Sequence, residues 1–263
     1  MIETIQHNDV TAYRLSWWRS RLRGFSVTVY RVRDVIIDTG YPGGRPSLAS
    51  ALERAPVRGA LLTHHHEDHA GNVHWLADNG VPVGMSNDTA VILSKLPRIG
   101  LYRRFTWGAM PAFSSDAPPF HDASLSLIAT PGHCPDHHVV FDRETGTLFS
   151  GDLFLGVRIK IAHWYESPSQ QVRSLRACIA MQPSRVFCAH RGLLPSGVAM
   201  LTAKADWMED MIGRVLRLSE QGLDATSIRE QVFGPLDSTH WISFGDYSAD
   251  HIVRAILRDS LIE

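Results

Sequence analysis

The stretch Thr63-His64-His65-His66-Glu67-Asp68-His69-Ala70-Gly71-Asn72 constrains this chain more than any other. It packs four histidines and two carboxylates into six consecutive positions behind the apolar run Gly59-Ala60-Leu61-Leu62. Imidazole and carboxylate are the donors that borderline divalent metals such as zinc prefer, so this density reads first as a metal site. His64 and His66 are two apart, and in extended chain leaving a strand that spacing puts both rings on one side. Asp68 and His69 follow where the chain must turn, so they point elsewhere and could serve a second ion. The competing reading is a solvated, histidine-rich loop that binds at most a lone adventitious ion.

Three more apolar runs end in a potential ligand. Leu125 to Gly132 ends at His133, Thr147-Leu148-Phe149-Ser150-Gly151 at Asp152, and Arg185-Val186-Phe187-Cys188-Ala189 at His190. Four strand-like segments thus each deliver a His or Asp at the carboxyl end, the edge of an α/β sheet where loops gather and ligands bind. A random scatter of 14 histidines would rarely do this.

On these residues the chain resembles the metallo-β-lactamase superfamily, whose His-x-His-x-Asp-His signature reads here as His64, His66, Asp68 and His69. The resemblance continues in Val35-Ile36-Ile37-Asp38-Thr39-Gly40, Thr130-Pro131-Gly132-His133, Ser150-Gly151-Asp152 and Ala189-His190-Arg191-Gly192, and spans about residues 25 to 192. It implies an α/β fold, the four-layer αββα sandwich, with one metal held by His64, His66 and His133, a second by Asp68, His69 and His190, and Asp152 bridging. It also implies that Asp38 and His137 sit behind the ligands and hold them in shape. For Asp38, a turn cap through Thr39 and Gly40 is the simpler account, and the two are compatible. Two divalent ions roughly 3.5 to 4 Å apart can share a water and lower its pKa from about 15.7 towards 7, giving a bridging hydroxide as nucleophile. Asp68 would orient that water and pass its proton on. Zinc is expected first because the ligands are mostly imidazole; iron or manganese also suits the carboxylates.

The chain departs from the family pattern in places. Ala189-His190-Arg191-Gly192 puts a guanidinium beside a ligand where Gly-His-Gly is common, and Cys134-Pro135-Asp136-His137-His138 follows His133 where Pro-Gly is common. Asp136 and Arg191 would either pair with each other or alter the pocket. Leu155 stands three residues after Asp152, where lactonases of the family carry tyrosine.

Composition excludes several classes. Formal charge is −1 and the pI is about 6.9, which is not the profile of a basic nucleic-acid binder. The six basic and eleven acidic residues after residue 200 would repel a polyanion unless they face away from it, so nucleic acid is not the favoured partner. Three cysteines without CxxC spacing argue against a disulfide framework or a thiolate zinc cage, leaving small core-filling thiols. No signal-like N-terminus or membrane-spanning run is present, so the expected location is the cytoplasm, with no membrane partner.

Along the chain, residues 1–37 read as β-structure, with strands at Thr11 to Trp18, Phe25 to Val32 and Val35 to Ile37; Ser47 to Ala55 reads as a helix, Gly59 to Thr63 as a strand, Gly71 to Ala77 as a helix and Gly80 to Met85 as a strand. The arginines from Arg14 to Arg33 are either exposed hairpin residues or a patch for an anionic substrate. Residues 95–121 lack period and mix proline, aromatic and arginine, as an insertion or lid does. Arg104, Phe105 and Trp107 are its pocket candidates; Phe154, Trp164 and Arg191 are others near Asp152 and His190. Leu125 to Ala129, Val139 to Phe141 and Thr147 to Ser150 follow as strands, Pro168 to Met181 as a helix and Val186 to Ala189 as the last strand. Residues 1–197 therefore form the metal-binding domain. Residues 198–263 form a helical region, from a one-sided apolar pattern between Val198 and Leu216 and two shorter helices at Asp224 to Val232 and Ser248 to Leu257. That region would pack on the sandwich, line the pocket or serve a homodimer.

The leading expectation is a dinuclear metal-dependent hydrolase acting on a small-molecule ester, thioester or lactone. The alternative is an endoribonuclease or phosphodiesterase, since the 19-residue step from His133 to Asp152 and the helical tail also occur there. A glyoxalase II identity is less expected, because the tail offers no basic cluster for the glutathione carboxylates. The third class is a non-catalytic metal-binding protein.

Overall fold

The computed structural model describes residues 1–96, 98–115 and 118–261. Pro97, Asp116 and Ala117, within the stretch read as an insertion, lie outside the described residues, as do Ile262 and Glu263. The first half runs β1 (Ile2–His7), β2 (Val10–Leu15), α1 (Trp18–Leu22), β3 (Val27–Val32), β4 (Val35–Ile37), α2 (Arg45–Arg54), β5 (Gly59–Leu61), α3 (Val73–Asp78), β6 (Val83–Gly84), α4 (Asn87–Ser94) and α5 (Leu101–Thr106). The second runs β7 (Leu125–Ala129), β8 (His138–Asp142), β9 (Thr147–Phe149), β10 (Ala162–His163), α6 (Pro168–Ala180), β11 (Arg185–Cys188) and β12 (Gly192–Leu193). It continues with α7 (Gly197–Glu220), α8 (Ala225–Phe233), α9 (Ser238–Ile242), β13 (Tyr247–Ser248) and α10 (Ala249–Asp259).

Strands β1 to β6 form one sheet in sequence order, and β12-β11-β9-β8-β7 form the second. The side chains of β4 alternate as a two-residue period demands. Val35 and Ile37 meet Leu125, Val140, Phe149 and Phe187 of the second sheet, while Ile36 turns outward onto Leu48 and Leu76 of α2 and α3. On the far side, Val139, Leu148 and Val186 of the second sheet face Leu175, Leu201 and Met208 of α6 and α7. The four layers are therefore α, β, β and α. At one end the sheets touch, the Thr28 amide donating to the Ala189 carbonyl and the Tyr30 hydroxyl to the Cys188 carbonyl at 2.6 Å.

Strand direction explains why the ligand-bearing loops share an edge. β4, β5 and β6 are parallel, as are β9 and β11, and β7 runs the same way as β9 because both are antiparallel to β8. The loops after β4, β5, β7, β9 and β11 carry Asp38, His64 to His69, His133, Asp152 and His190.

Several elements differ from their sequence reading. β1 is legible in the sequence only as general β-structure; its inward Ile2 and Ile5 are too few for a clear alternation. Residues 95–121 are not wholly irregular: α5 lies within them, ended by Trp107. Helix α4 carries a Ser86 cap that accepts the Thr89 amide. Helices α7, α8 and α10 bury a common cluster of Met211, Val215, Ile228, Ile252 and Ile256, and β13 pairs with β10. No helix among the described residues is long and apolar enough to cross a membrane. All three cysteines are buried and unpaired.

Candidate metal centre

The loop after β5 turns its histidines inward because Asp38, at the end of β4, gathers it. Asp38 adopts a left-handed backbone (φ 63°) and accepts the Thr63 amide at 2.8 Å, the Thr63 hydroxyl at 2.9 Å and His69 Nδ1 at 2.8 Å. The Thr63 hydroxyl, having given its proton to Asp38, is left to accept His64 Nδ1 at 3.0 Å. With their Nδ1 atoms engaged behind them, His64 and His69 turn Nε2 forward. His190 does the same, its Nδ1 donating to the Ser26 carbonyl at 2.7 Å. His66 is reversed: its Nε2 meets the Tyr165 hydroxyl at 2.7 Å, and its Nδ1 lies 3.1 Å from His133 Nε2.

These rings converge on two clusters. His64, His66, His133 and Asp152 place one ligand atom each within 4.8 Å of one another, and Asp68, His69 and His190 do likewise. Asp152 spans both. Its Oδ1 lies 3.3 Å from His69 Nε2 and 3.2 Å from His190 Nε2, and its Oδ2 lies 3.5 Å from His133 Nε2. Asp68 Oδ2 lies 3.5 Å from His190 Nε2. His64 Nε2, His69 Nε2 and Asp152 Oδ1 are buried without a hydrogen-bond partner. Each such group left unsatisfied costs about 1 to 3 kcal/mol, so a donor set of this chemistry fits divalent cations. A third group, His65, His66 and Cys134, shares His66, and Asp136 already holds His65 Nδ1 at 2.7 Å.

Burial keeps His64 and His66 well below the ordinary imidazole range, hence neutral and ligand-competent. For Asp152 burial works to raise the carboxyl, but the facing His190 and His69 rings overcome it and hold it well below the carboxylate range. Burial raises Asp68. His137 is pushed down to about 3, chiefly by burial. Its neutral ring bonds Thr130 through Nδ1 and accepts the Asp152 amide at Nε2, 3.0 Å away. The turn that makes this contact needs Gly151 (φ 48°), where a Cβ would lie 2.8 Å from His137 Nε2.

The seven residues read as ligands thus come together, with Asp38 and His137 directly behind them. The pocket candidates divide. Trp107 is nearly buried, 6.1 Å from the His190 ring. Trp164 is exposed beside Tyr165. Phe154 is not a pocket residue: it is 1 % exposed in the core, beneath α7, with its carbonyl accepting Cys188 Sγ. Phe105 is exposed and stacks edge-on against Trp18 of α1, and Arg104 is exposed. Arg191 is exposed and donates to the Leu155 carbonyl; it does not pair with Asp136, which His65 and Thr89 occupy.

Sequence reasoning missed Arg103 and Glu67. Arg103, on α5, is buried against Glu67 of the metal loop, with Nε to Oε1 at 2.8 Å and a second contact from Nη2 to Oε2. Its Nη1 donates to the Tyr165 hydroxyl at 3.2 Å. The one hint was a carboxylate, Glu67, with no evident ligand partner in the motif.

The family model described as the metallo-beta-lactamase superfamily matches residues 22–190. A Drosophila melanogaster protein named beta-lactamase-like protein 2 homolog is 29% identical over 182 residues, 64% of this chain and 58% of that protein. A hydroxyacylglutathione hydrolase of Shewanella sp. (strain ANA-3) is 32% identical over 143 residues, 52% of this chain and 50% of the enzyme. The chain spans about half to three fifths of the length of these curated relatives. Among solved structures, a metallo-beta-lactamase family protein from Thermus thermophilus superposes with a TM-score of 0.64 at 17% identity, covering 97% of this chain and 94% of that one. The DIM-1 metallo-beta-lactamase exposed to ceftazidime superposes at 0.62 and 18% identity, covering 80% of this chain and 97% of that one. At these identities the likeness is one of fold.

Proposed function

The chain belongs to the metallo-β-lactamase superfamily, and on that premise we propose that it is a dinuclear metal-dependent hydrolase of small-molecule esters or thioesters, with zinc as the preferred ion. The observation that carries this reading is Asp152, one carboxylate set between two inward-facing histidine groups. The similarity to hydroxyacylglutathione hydrolases supports a thioester over a lactone.

His64, His66 and His133 would hold one ion, Asp68, His69 and His190 the other, and Asp152 both. Ions bound there would supply Lewis acidity, lowering the pKa of water from about 15.7 towards 7 and polarising the substrate carbonyl. The protein's residues do the rest. Asp68, through the carboxylate oxygen not turned to His69 and His190, takes the proton of the attacking water and returns it to the leaving oxygen or sulfur as the C–O or C–S bond breaks. Asp38, Thr63 and the Ser26 carbonyl hold the ligand rings in the required tautomers. Trp107 offers an apolar wall beside His190, suited to a partly apolar substrate.

The test is a panel of p-nitrophenyl esters, thioesters, lactones and bis-p-nitrophenyl phosphate, with and without chelator, on wild type and on Asp68→Ala and His133→Ala. Chelator-sensitive turnover of an ester or thioester, lost in both variants, is expected. Turnover surviving either substitution would refute the mechanism. Preference for the phosphodiester, with binding that weakens steeply as salt rises, would favour the nuclease reading.

A further inference from the structure

The histidines of the first group are not supported alike from behind. His64 Nδ1 rests on the Thr63 hydroxyl and His66 Nε2 on the Tyr165 hydroxyl, whereas His133 Nδ1 is buried with no hydrogen-bond partner among the described residues. The other nitrogen of His133 faces the site, Nε2 lying 3.1 Å from His66 Nδ1 and 3.5 Å from Asp152 Oδ2. Opposite the orphaned Nδ1 stands Glu166, its Oε2 3.5 Å away.

Glu166 is held in that place. Its Oε1 accepts the His163 amide at 2.8 Å, which leaves Oε2 turned to the ring. The next amide along, that of Ser167, donates to the Gly132 carbonyl at 2.8 Å, and the Ser174 hydroxyl donates to the Pro131 carbonyl at 2.7 Å. At Gly132 (φ 134°) a Cβ would lie 2.4 Å from the Gln171 amide nitrogen, so the loop after β7 lies directly on the first turn of α6. The turn carrying Glu166 and the loop carrying His133 are therefore packed as one piece. A neutral imidazole has one proton for two nitrogens, and at His133 a carboxylate faces each of them. Asp152 in front would draw the proton to Nε2, where it takes away the lone pair an ion needs. Glu166 behind, a carboxylate that only accepts, draws it to Nδ1 and leaves the Nε2 lone pair facing the site.

We propose that Glu166 is the positioning residue of His133: it keeps the ring's proton at the rear, the 3.5 Å contact shortening to a hydrogen bond as the ring takes its place on the ion, and so sets the affinity of the first site. Through it the turn between β10 and α6, which carries no ligand of its own, governs metal occupancy. This rests on the two-ion reading above.

Glu166→Gln keeps the shape of the side chain. Its single amide oxygen is needed by the His163 amide, so its NH₂ group meets His133 Nδ1 donor to donor and the ring's proton moves to Nε2. Outer hydrogen-bond partners of metal-ligating histidines are worth 10–100-fold in affinity. Titration of metal-free protein with Zn²⁺ against a chromophoric chelator should therefore show one of the two dissociation constants raised about 10–100-fold, and the other changed less than about threefold. Glu166→Ala, which removes the acceptor altogether, should raise the same constant. Nitrogen-15 NMR of the metal-free protein should show His133 protonated on Nδ1 in wild type and on Nε2 in Glu166→Gln, a readout that loosened packing alone would not move. Unchanged constants in Glu166→Gln, or a His133 proton already on Nε2 in wild type, would overturn the proposal while leaving the two-ion reading intact. So would both constants rising together with the His133 proton still on Nδ1. Wild-type protein that binds no metal would overturn both.

Discussion

Replacing Asp38 by Asn changes one atom at the end of β4 and should dismantle half of the metal centre. Asn tolerates the left-handed backbone that Asp38 adopts, so the turn itself survives. Its amide oxygen can still accept the Thr63 amide and hydroxyl, now held at 2.8 and 2.9 Å. Its NH₂ group then faces His69 Nδ1, 2.8 Å from the present carboxylate oxygen. Two donors cannot share that contact. His69 must move its proton to Nε2, the atom 3.3 Å from Asp152 Oδ1 and aimed at the Asp68 and His190 group. An amide-bound ring of the wrong tautomer has no lone pair to offer there. The loss of such a partner corresponds to 10–100-fold in affinity, about 1.4–2.7 kcal/mol. Competitive chelator titration should show the second ion weakened by that factor, with the first held by His64, His66 and His133 nearly unchanged. Two ions bound as tightly as in wild type would refute the reasoning, and so would equal weakening of both.

Other outcomes follow from the same structure. Gly71→Ala should destabilise the fold by about 1–3 kcal/mol or more and weaken metal binding, because a Cβ there lies 2.2 Å from the Glu67 carbonyl oxygen and 2.7 Å from that of Gly40; an unchanged thermal midpoint would contradict this. Chelation should abolish hydrolysis and lower the midpoint, since each ion at a hundredfold over its Kd adds about 2.7 kcal/mol; a midpoint indifferent to chelator would count against buried sites. Lys204, buried on α7 with its ammonium on the Leu153 carbonyl, is pushed by burial from 10.5 down to about 8. The unfolded chain therefore binds the proton more tightly, so the lysine imposes a penalty of about 3 kcal/mol that is full below pH 8 and fades by pH 10.5. Lys204→Met, which loses a hydrogen bond worth about 1 kcal/mol, should be the more stable protein at neutral pH, and wild type should close the gap above pH 8; denaturant titrations showing a pH-independent difference would refute this.

The residues read as ligands were legible because they are marked twice, by residue type and by their place in the loops that follow apolar runs. Asp38 was legible only through resemblance, since nothing in Ile37-Asp38-Thr39-Gly40 distinguishes a residue that gathers a loop from one that caps a turn. Arg103 and Arg104 are adjacent and chemically identical, and which one turns inward depends on where α5 begins, a boundary the aperiodic stretch conceals. Phe154 shows the converse: proximity to Asp152 in the chain suggested the pocket, but the turn at Gly151 sends it beneath α7. The pairing of Asp136 with His65 spans 71 residues and leaves no local signal.

The two-residue ladder between β10 and β13 joins the far end of the chain to the segment that carries Tyr165. The last helices are thus not a passenger on an independent catalytic module. Exchange of this tail by recombination, or its removal by a protease, would withdraw β13 from β10 and leave the segment that carries Tyr165 without its partner strand.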